Sequence, residues 1–352
     1  MGQRPVPGPA VTEPGPTPVS APRLSRHTFM LSDGHRIGLA VSGRGVPLVV
    51  VHGFTAEGFL YAQTLHRLVN KGFKVIAIDM AGHGNTQGLP GTAGHLGDYA
   101  ELMSRAMDEL GIRTAVLAGH SMGGRVVAQL AATEPDKAIA ILLIDAIVGD
   151  EWDWLVKVFR LNPLLLAGLA AGLALDTATT VPVMRDPRQA VKLARLAVPT
   201  LLGHVAAPWR LLGPGISILR TSASRELLEQ LAASKVPTFV IHGKRDYMVP
   251  YQTGRSAAAR SGGQLVTVEG ATHSWLLKDP ETLPAIVSEL LEDKLGDAIR
   301  RAITAAGARS VDQLEDIFYT DGAPILALSP ELRYERLDDT HRQPRYHWSI
   351  SG

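Results

Sequence analysis

The sequence predicts an α/β fold built on a doubly wound, mostly parallel sheet. Continuous apolar runs are typical of strands covered on both faces, and they occur at residues 47–51, 73–78, 114–118 and 138–144. Helical patterns separate these runs, at about 59–70, 98–110 and 125–131. Because parallel strands are joined by crossover connections that are usually helical, this alternation indicates one sheet with helices on both faces.

Further elements extend the sheet on both sides of this central part. Strands predicted at 27–31 and 36–41 are joined by a Ser-Asp-Gly turn, so a hairpin adds antiparallel strands at one edge. Strands are predicted again at 237–243 and 264–268, and a helix at 283–295 completes the alternation.

The pattern divides the chain into four parts. Residues 1–23 are rich in proline and lack an apolar run, so we expect a disordered tail. The α/β core is expected at 24–149 and 236–295. Between these two segments, 150–235 is rich in Leu and Ala, broken by prolines and without a strand pattern, which predicts an inserted helical cap. Residues 296–352 form a C-terminal extension of unknown role, and its few apolar runs predict weak docking on the core.

Composition excludes several classes of function. The formal net charge of +1 offers no electrostatic basis for binding nucleic acid. The absence of cysteine excludes disulfides and thiol chemistry. No apolar run has the roughly 18 residues of a membrane span, since the run at 161–175 is too short and contains Pro163. The N-terminus lacks the apolar stretch of a signal peptide, so a cytoplasmic location is expected.

A candidate nucleophile lies in the segment 119–123, Gly-His-Ser-Met-Gly, with Ser121 at its centre. The segment follows a predicted strand and precedes a helical pattern, which is the context in which a G-x-S-x-G pattern carries meaning. A serine at such a sharp turn is forced into strained backbone angles, and flanking glycines relieve the crowding. Its hydroxyl would then stand at the carboxyl edge of the sheet, above a helix N-terminus that favours negative charge.

Five short motifs lie at the carboxyl ends of predicted strands. They are residues 52–54, 79–84, 119–123, 243–246 and 270–273. With these motifs in this order, the chain resembles the α/β-hydrolase fold superfamily, in the serine-nucleophile branch with a helical cap, over about residues 24–295. The resemblance implies a hydrolase that forms an acyl-enzyme and uses no cofactor.

The serine needs two partners to react. A histidine must take its proton, and a carboxylate must orient that histidine and stabilise its charged form. The superfamily's chain order of serine, acid and histidine points to His273, just after the strand at 264–268. Asp246 lies where the superfamily usually carries its acid, and Asp145, at the end of the preceding core strand, is the alternative that some members use. We expect Asp246 to be the acid.

Charge that develops on the carbonyl oxygen needs fixed hydrogen-bond donors. The backbone N–H of Met122 is one candidate, because it follows the nucleophile directly. By resemblance, the other is the N–H of Phe54, the residue after His52 and Gly53.

Other histidines beside strand ends are interpreted as residues that hydrogen-bond loops and hold the motifs in shape. These are His52, His83, His120 and His242. No group of His, Asp and Glu has the spacing of metal ligands, and the pair His341 and His347 is a weak zinc pattern. The sequence thus predicts neither a metal nor a cofactor.

Hydrolysis of a hydrophobic ester or lipid is the leading hypothesis for the reaction. Carbon–carbon bond hydrolysis, cofactor-free perhydrolysis, amide hydrolysis and acyl transfer stay open, because fold and catalytic residues are shared while the pocket decides. A non-catalytic, ligand-binding member of the fold is the alternative of another class. The leucines of 164–173 either line an apolar tunnel, touch a membrane surface or pack the cap on the core. Neither the orientation of Arg125, which would suit a carboxylate-bearing substrate, nor the oligomeric state follows from the sequence.

Overall fold

The computed structural model describes residues 24–54, 56, 61–90, 94–162, 164–179, 208–307, 313–328 and 343–352, with isolated positions between 191 and 206. The proline-rich tail predicted at 1–23 lies outside the described residues.

The centre of the fold is a sheet to which the described residues contribute nine strands. Its strands are β1 Ser25–Met30, β2 Arg36–Ser42, β3 Val46–Val51, β4 Phe73–Ile78, β5 Ala115–His120, β6 Ala138–Ile144, β7 Thr238–Gly243, β8 Gln264–Val268 and β9 Trp348–Ser351. Their order in the sheet is β1-β2-β4-β3-β5-β6-β7-β8-β9. The pairs from β4 to β8 are parallel, whereas β1, β2 and β9 add antiparallel pairs at the two edges. The predicted fold class is confirmed.

Helices cover both faces of the sheet. They are α1 Ala62–Val69, α2 Leu96–Glu109, α3 Met122–Thr133, α4 Asp150–Leu161, α5 Leu164–Thr179, α6 Leu212–Leu219, α7 Ser224–Ser234, α8 Tyr251–Ser261, α9 Trp275–Lys278, α10 Thr282–Glu292, α11 Lys294–Ala305, α12 Leu314–Phe318 and α13 Pro324–Ala327. The helices α2, α3, α7 and α8 pack side by side on one face, and α1, α10 and α11 pack on the other. This double cover explains why every residue of β3, β4, β5 and β6 is buried.

The parallel register brings the predicted motifs to one edge. Val51 at the end of β3 is level with Gly119 of β5, and His120 is level with Ile144 at the end of β6. Farther along the sheet, Gly243 at the end of β7 lies beside Val268 of β8. The loops that follow these strands therefore meet at a single edge of the sheet, where ligands of open α/β sheets bind.

The segment predicted as a cap contains helices and, among its described residues, no strand. The helices α4, α5 and α6 lie in this segment, and α4 packs against both α5 and α6. Helix α7, also part of the predicted cap, packs mainly against α3 and α8 of the core, with a smaller contact to α4. No helix in the described part of the chain is long and apolar enough to cross a membrane.

The C-terminal extension docks firmly on the core, so the expected weak docking is wrong. Phe318, Tyr319 and Ile325 are fully buried, and Ile112 forms a β-bridge with Tyr319. The Nε of Arg113 donates a hydrogen bond to the Tyr319 carbonyl at 2.9 Å, while β9 extends the sheet beyond β8. The reason is that a short apolar segment buries its whole surface when it fits a gap in a preformed core, even without helical or strand periodicity.

Candidate active site

Ser121 occupies a strained turn between β5 and α3. Its φ is +52°, in the left-handed region that a residue with a side chain rarely adopts. The neighbouring glycines are required by space, since a Cβ at Gly119 would lie 2.3 Å from the Gly123 carbonyl oxygen. Two backbone hydrogen bonds hold the turn: the Ser121 N–H donates to Ile144 O at 2.9 Å, and the Ile147 N–H donates to Ser121 O at 3.2 Å.

His273 and Asp246 come together from two different loops. Asp246 follows β7 and His273 follows β8, and His273 Nδ1 lies 2.7 Å from Asp246 Oδ2. The other oxygen of Asp246 accepts the backbone N–H groups of Met248 and Val249, each at 2.8 Å. The carboxylate is therefore fixed by three donors and orients the imidazole through Nδ1, which leaves Nε2 free to act as a base.

The charges of this pair stabilise each other. Burial alone would raise the pKa of the Asp246 carboxyl, but His273 and the backbone donors outweigh it and hold that pKa below its usual range. Burial alone would lower the pKa of His273, and the neighbouring Asp246 carboxylate reverses this effect, so the pKa of His273 is raised. The site is therefore built to stabilise an imidazolium at His273.

Ser121 and His273 line the same cavity, and the empty space within its lining, open solvent included, is about 460 Å³. Its other lining residues are all apolar: Phe54, Met122, Ile147, Trp152, Leu169, Ile218, Met248 and Val249. The lining comes from the core loops and from α4, α5 and α6, the helices of the segment predicted as the cap. The cavity is therefore an apolar chamber with a serine and a histidine in its wall.

The two predicted oxyanion donors lie beside Ser121. Met122 is the first residue of α3, and Phe54 lies in the loop after β3. That loop runs directly against the serine, because a Cβ at Gly53 would lie 3.2 Å from Ser121 Cβ. His52 holds the loop in place, since its Nε2 accepts the Met80 N–H at 2.9 Å. The loop that carries Phe54 thus packs against Ser121, and the oxyanion-donor roles of the Phe54 and Met122 N–H groups stay predictions.

Asp145 contacts both loops of the pair but does not hydrogen-bond His273. Its Oδ1 accepts the Gly243 N–H at 2.7 Å, and its Oδ2 accepts Trp275 Nε1–H at 2.6 Å. Gly243 begins the loop that carries Asp246, and Trp275 lies two residues after His273. The side chain is fully buried, and burial raises the pKa of Asp145. Asp145 therefore joins the two loops, while Asp246 contacts the imidazole.

Two further histidines serve as internal ties. His120 Nε2 donates to the His273 carbonyl oxygen at 3.1 Å, and its Nδ1 accepts the Tyr61 hydroxyl at 3.0 Å. Burial lowers the pKa of His120 to about 3, which keeps it neutral and fits one donor and one acceptor nitrogen. His242 Nε2 lies 2.9 Å from the carbonyl oxygen of Val249, the residue whose N–H donates to Asp246.

One group in the described part of the chain has metal-ligand proximity: atoms of Asp145, His242 and Asp246 lie within 4.8 Å of one another. Each carboxylate oxygen of this group already accepts an N–H donor. A cation would have to displace these donors, so the group fits the acid–histidine pair and its support rather than a metal centre. His341 lies outside the described residues.

Arg125 points away from the cavity. It is almost fully buried in the first turns of α3, where Nη1 donates to Ser224 Oγ at 2.7 Å and Nη2 to the Ser222 carbonyl at 3.1 Å. Burial lowers the pKa of Arg125 to about 10. Among the described lining residues the cavity contains no cation other than His273 when protonated.

Sequence reasoning did not identify most of the cavity lining or the ties around His273. Ile147, Trp152 and Ile218 lie far from the motifs in the chain and have no local signal of their own. Tyr61 and Trp275 are single aromatic residues whose polar atoms reach their partners only after folding.

The chain matches known proteins over most of its length. The model of the family described as serine aminopeptidase, S33, matches residues 46–281. A putative non-heme haloperoxidase from Mycobacterium phage D29 is 34% identical over 289 residues, which are 81% of this chain and 100% of the relative. A monoacylglycerol lipase from Mycolicibacterium smegmatis is 28% identical, over 66% of this chain and 82% of that protein.

Solved structures share the fold. A thermophilic esterase from Thermogutta terrifontis superposes with a TM-score of 0.59 at 22% identity, covering 76% of this chain and 98% of the esterase. A carboxylesterase from Nitrososphaera gargenis gives a TM-score of 0.60 at 19% identity, covering 78% and 100%. With the family model spanning two thirds of the sequence, the chain belongs to the serine aminopeptidase S33 family of the α/β-hydrolase superfamily.

Proposed function

We propose that the protein is a carboxylic ester hydrolase that acts on hydrophobic acyl substrates through an acyl-enzyme on Ser121. One observation carries this proposal: Ser121 and His273 share the wall of an apolar cavity, and His273 is hydrogen-bonded to Asp246. A nucleophile, a base and an orienting carboxylate are the groups that acyl transfer requires.

The reaction follows from these positions. His273 Nε2 takes the hydroxyl proton as Ser121 Oγ attacks the ester carbonyl, and Asp246 stabilises the resulting imidazolium. The N–H groups of Met122 and Phe54 stabilise the negative charge on the carbonyl oxygen. His273 then gives its proton to the leaving alcohol, and a water molecule activated by the same nitrogen releases the acid.

The lining of the cavity supports a hydrophobic acyl group. Eight of its ten described lining residues are apolar, so each methylene of an acyl chain gains about 0.8 kcal/mol on entering it. A carboxylate-bearing diketone would need a cation there, and Arg125 is engaged elsewhere. The relative from Mycolicibacterium smegmatis is named as a monoacylglycerol lipase, which agrees with this substrate class.

A panel of p-nitrophenyl esters of rising chain length tests the proposal. We expect kcat/KM to rise about 3–4-fold per methylene from acetate until the cavity is filled, because each buried methylene contributes about 0.8 kcal/mol. Leu169→Phe should shift the preference toward shorter chains, since Leu169 lines the cavity. Leu175→Phe on the same helix is the matched control, because Leu175 is exposed. A steady preference for acetate would contradict the hydrophobic substrate class.

Perhydrolysis is the second candidate, and the 34% identity to a protein named as a putative non-heme haloperoxidase favours it. In this reaction hydrogen peroxide replaces water in attacking the acyl-enzyme: its oxygen bonds to the acyl carbon, a peracid leaves and the serine hydroxyl is restored. The same acylation step serves both candidates. Peracid formation from an ester with peroxide, compared with acid formation in water alone, distinguishes them.

Several exposed apolar side chains lie on the segment predicted as the cap. Trp154, Leu161, Leu164, Leu175 and Trp209 are all more than 60% exposed. Exposed apolar groups of this kind suit contact with a lipid surface, so membrane contact of this segment stays a prediction. The cytoplasmic location and the domain boundaries expected from the sequence also stay predictions.

A further inference from the structure

A carboxylate of the predicted cap contacts the loop that carries His273. Asp176 lies near the end of α5, and its Oδ2 accepts the backbone N–H of Ser274 at 2.8 Å. Its Oδ1 lies 3.2 Å from Nζ of Lys278. Because Ser274 directly follows His273 in the chain, a side chain of α5 holds the backbone beside the proposed base.

Thr272, the residue before His273, is held by the same ion pair. Lys278 Nζ, which pairs with Asp176, also donates to Thr272 Oγ1 at 2.7 Å. The two charged side chains are only 16% and 12% exposed. Charge-assisted hydrogen bonds that are shielded from water in this way are stronger and more specific in geometry than neutral ones. Asp176 and Lys278 together therefore hydrogen-bond the residues before and after His273 in the chain.

Asp176 is ionised at neutral pH. Burial alone would raise the pKa of its carboxyl, but the hydrogen bonds from Ser274 and the charge of Lys278 outweigh burial and lower that pKa. The contact is therefore a charged one in the pH range where His273 can act as a base.

One face of α5 connects the cavity to both catalytic loops. Leu169, Gly172 and Asp176 are spaced three and four residues apart, which places them on the same side of the helix. Leu169 lines the cavity. Gly172 lies against the acid loop, because a Cβ there would be 3.1 Å from Met248 Cε, and the Met248 N–H donates to Asp246. The third member of this face, Asp176, contacts the base loop.

We propose that Asp176 is a positioning residue through which helix α5 holds His273 in line with Ser121. The inference rests on the proposed function, because it gives Asp176 a part in the same reaction. Without the carboxylate, the Ser274 N–H loses this acceptor, and the segment 272–274 keeps its contacts with Asp246, His120 and Lys278. A shift of about 1 Å in a catalytic group is enough to cost on the order of 100-fold in rate.

The test compares three variants by two rates. Asp176→Ala removes the hydrogen bond and the ion pair, whereas Asp176→Asn keeps an acceptor for Ser274 but loses the charge. Asp297→Ala is the matched control, since it removes an exposed Asp–Arg pair with Arg300 on α11. The rates are the labelling of Ser121 by a fluorophosphonate and kcat for p-nitrophenyl acetate, which has the shortest acyl group of the ester panel.

We expect Asp176→Ala to lower both rates about 10- to 100-fold, with a smaller change in KM for acetate. Asp176→Asn should lie between, at about 3-fold, because a neutral hydrogen bond is weaker than a charged one. Asp297→Ala should stay within about 2-fold, as for surface substitutions. If Asp176 only helped to shape the site for acyl chains, Asp176→Ala would instead raise KM for long esters and leave labelling unchanged.

Wild-type rates in folded Asp176→Ala would overturn this inference alone. If Asp176→Ala fails to fold by circular dichroism, Asp176→Asn decides in the same way: slower labelling supports the inference, and wild-type labelling overturns it. Absence of labelling in the wild-type protein would overturn the proposed function, and the inference with it.

Discussion

Ser121→Ala is expected to abolish ester hydrolysis, with a loss of kcat on the order of 10⁶-fold. The methyl group of alanine cannot form an acyl-enzyme, and no other nucleophile lines the described part of the cavity. The variant should fold normally, because the wild-type backbone strain at φ +52° is held by hydrogen bonds that an alanine also makes. Stopped assays with the preferred p-nitrophenyl ester measure the loss.

Ser288→Ala is the control for this substitution. Ser288 lies on α10, where its hydroxyl donates to the Pro284 carbonyl within the helix. It should retain wild-type activity and labelling by a fluorophosphonate, whereas Ser121→Ala should lose both. Labelling and turnover that persist in Ser121→Ala would place the nucleophile elsewhere. A wild-type serine that never reacts would favour a non-catalytic, ligand-binding protein.

Asp246→Asn is expected to lower kcat by about 10⁴-fold. The carboxamide keeps the size of the side chain, but its NH₂ or C=O group faces an imidazole that needs an anion to stabilise its charged form. The His273 tautomer with a proton on Nδ1 loses its strongest partner, the contact of 2.7 Å to Asp246 Oδ2. Rates measured from pH 5 to 9 should show the loss throughout, because no neighbouring group replaces the missing charge in contact with Nδ1.

Asp145→Asn provides the comparison, because it is the alternative acid from the sequence. One of its two N–H donors, from Gly243 or Trp275, would face an amide NH₂ and lose its acceptor. We expect the free energy of unfolding to fall by about 1–3 kcal/mol. We also expect kcat to change by about 10-fold at most, because Asp145 does not contact the imidazole and its loss should shift the catalytic loops by less than 1 Å. A larger loss of rate in Asp145→Asn than in Asp246→Asn would reverse the assignment.

Contacts on several sides hold His273 in place. Asp246 binds its Nδ1, His120 binds its carbonyl, and Asp176 binds the N–H of the next residue. Asp145 adds an indirect tie through Trp275. Each contact comes from a different element, so the position of His273 depends on the packing of the whole site. This dependence explains why remote substitutions such as Asp176→Ala are expected to change the rate.

The fold was predictable because its signals are local. The buried strands are continuous apolar runs, and four of the predicted runs match β3, β4, β5 and β6 within about two residues. The elbow was also predictable, because a serine with φ above zero needs small neighbours, and glycine at 119 and 123 is visible in the sequence. Chain order then pointed to His273 and Asp246 through the resemblance to a known superfamily.

The docking of the C-terminal extension was not predictable. The segment around Phe318 and Ile325 is short and has no regular period, so nothing local distinguishes it from a loose tail. Its docking depends on contacts that exist only after folding, such as the hydrogen bond from the Tyr319 hydroxyl to the Gly45 carbonyl and the β-bridge between Tyr319 and Ile112. The pattern of neighbouring residues along the chain does not reveal these contacts.

The sequence by itself determined the chain order of the motifs and the strained serine turn, which depend on backbone sterics and on neighbours a few residues apart. The base and the two candidate acids followed from the resemblance of these motifs to a known superfamily. Only the tertiary structure decided which carboxylate contacts His273, where Arg125 points and which side chains enclose the cavity. The contacts of His273 and Arg125 join residues 27 and 99 positions apart in the chain, and their geometry is set by packing of the complete core.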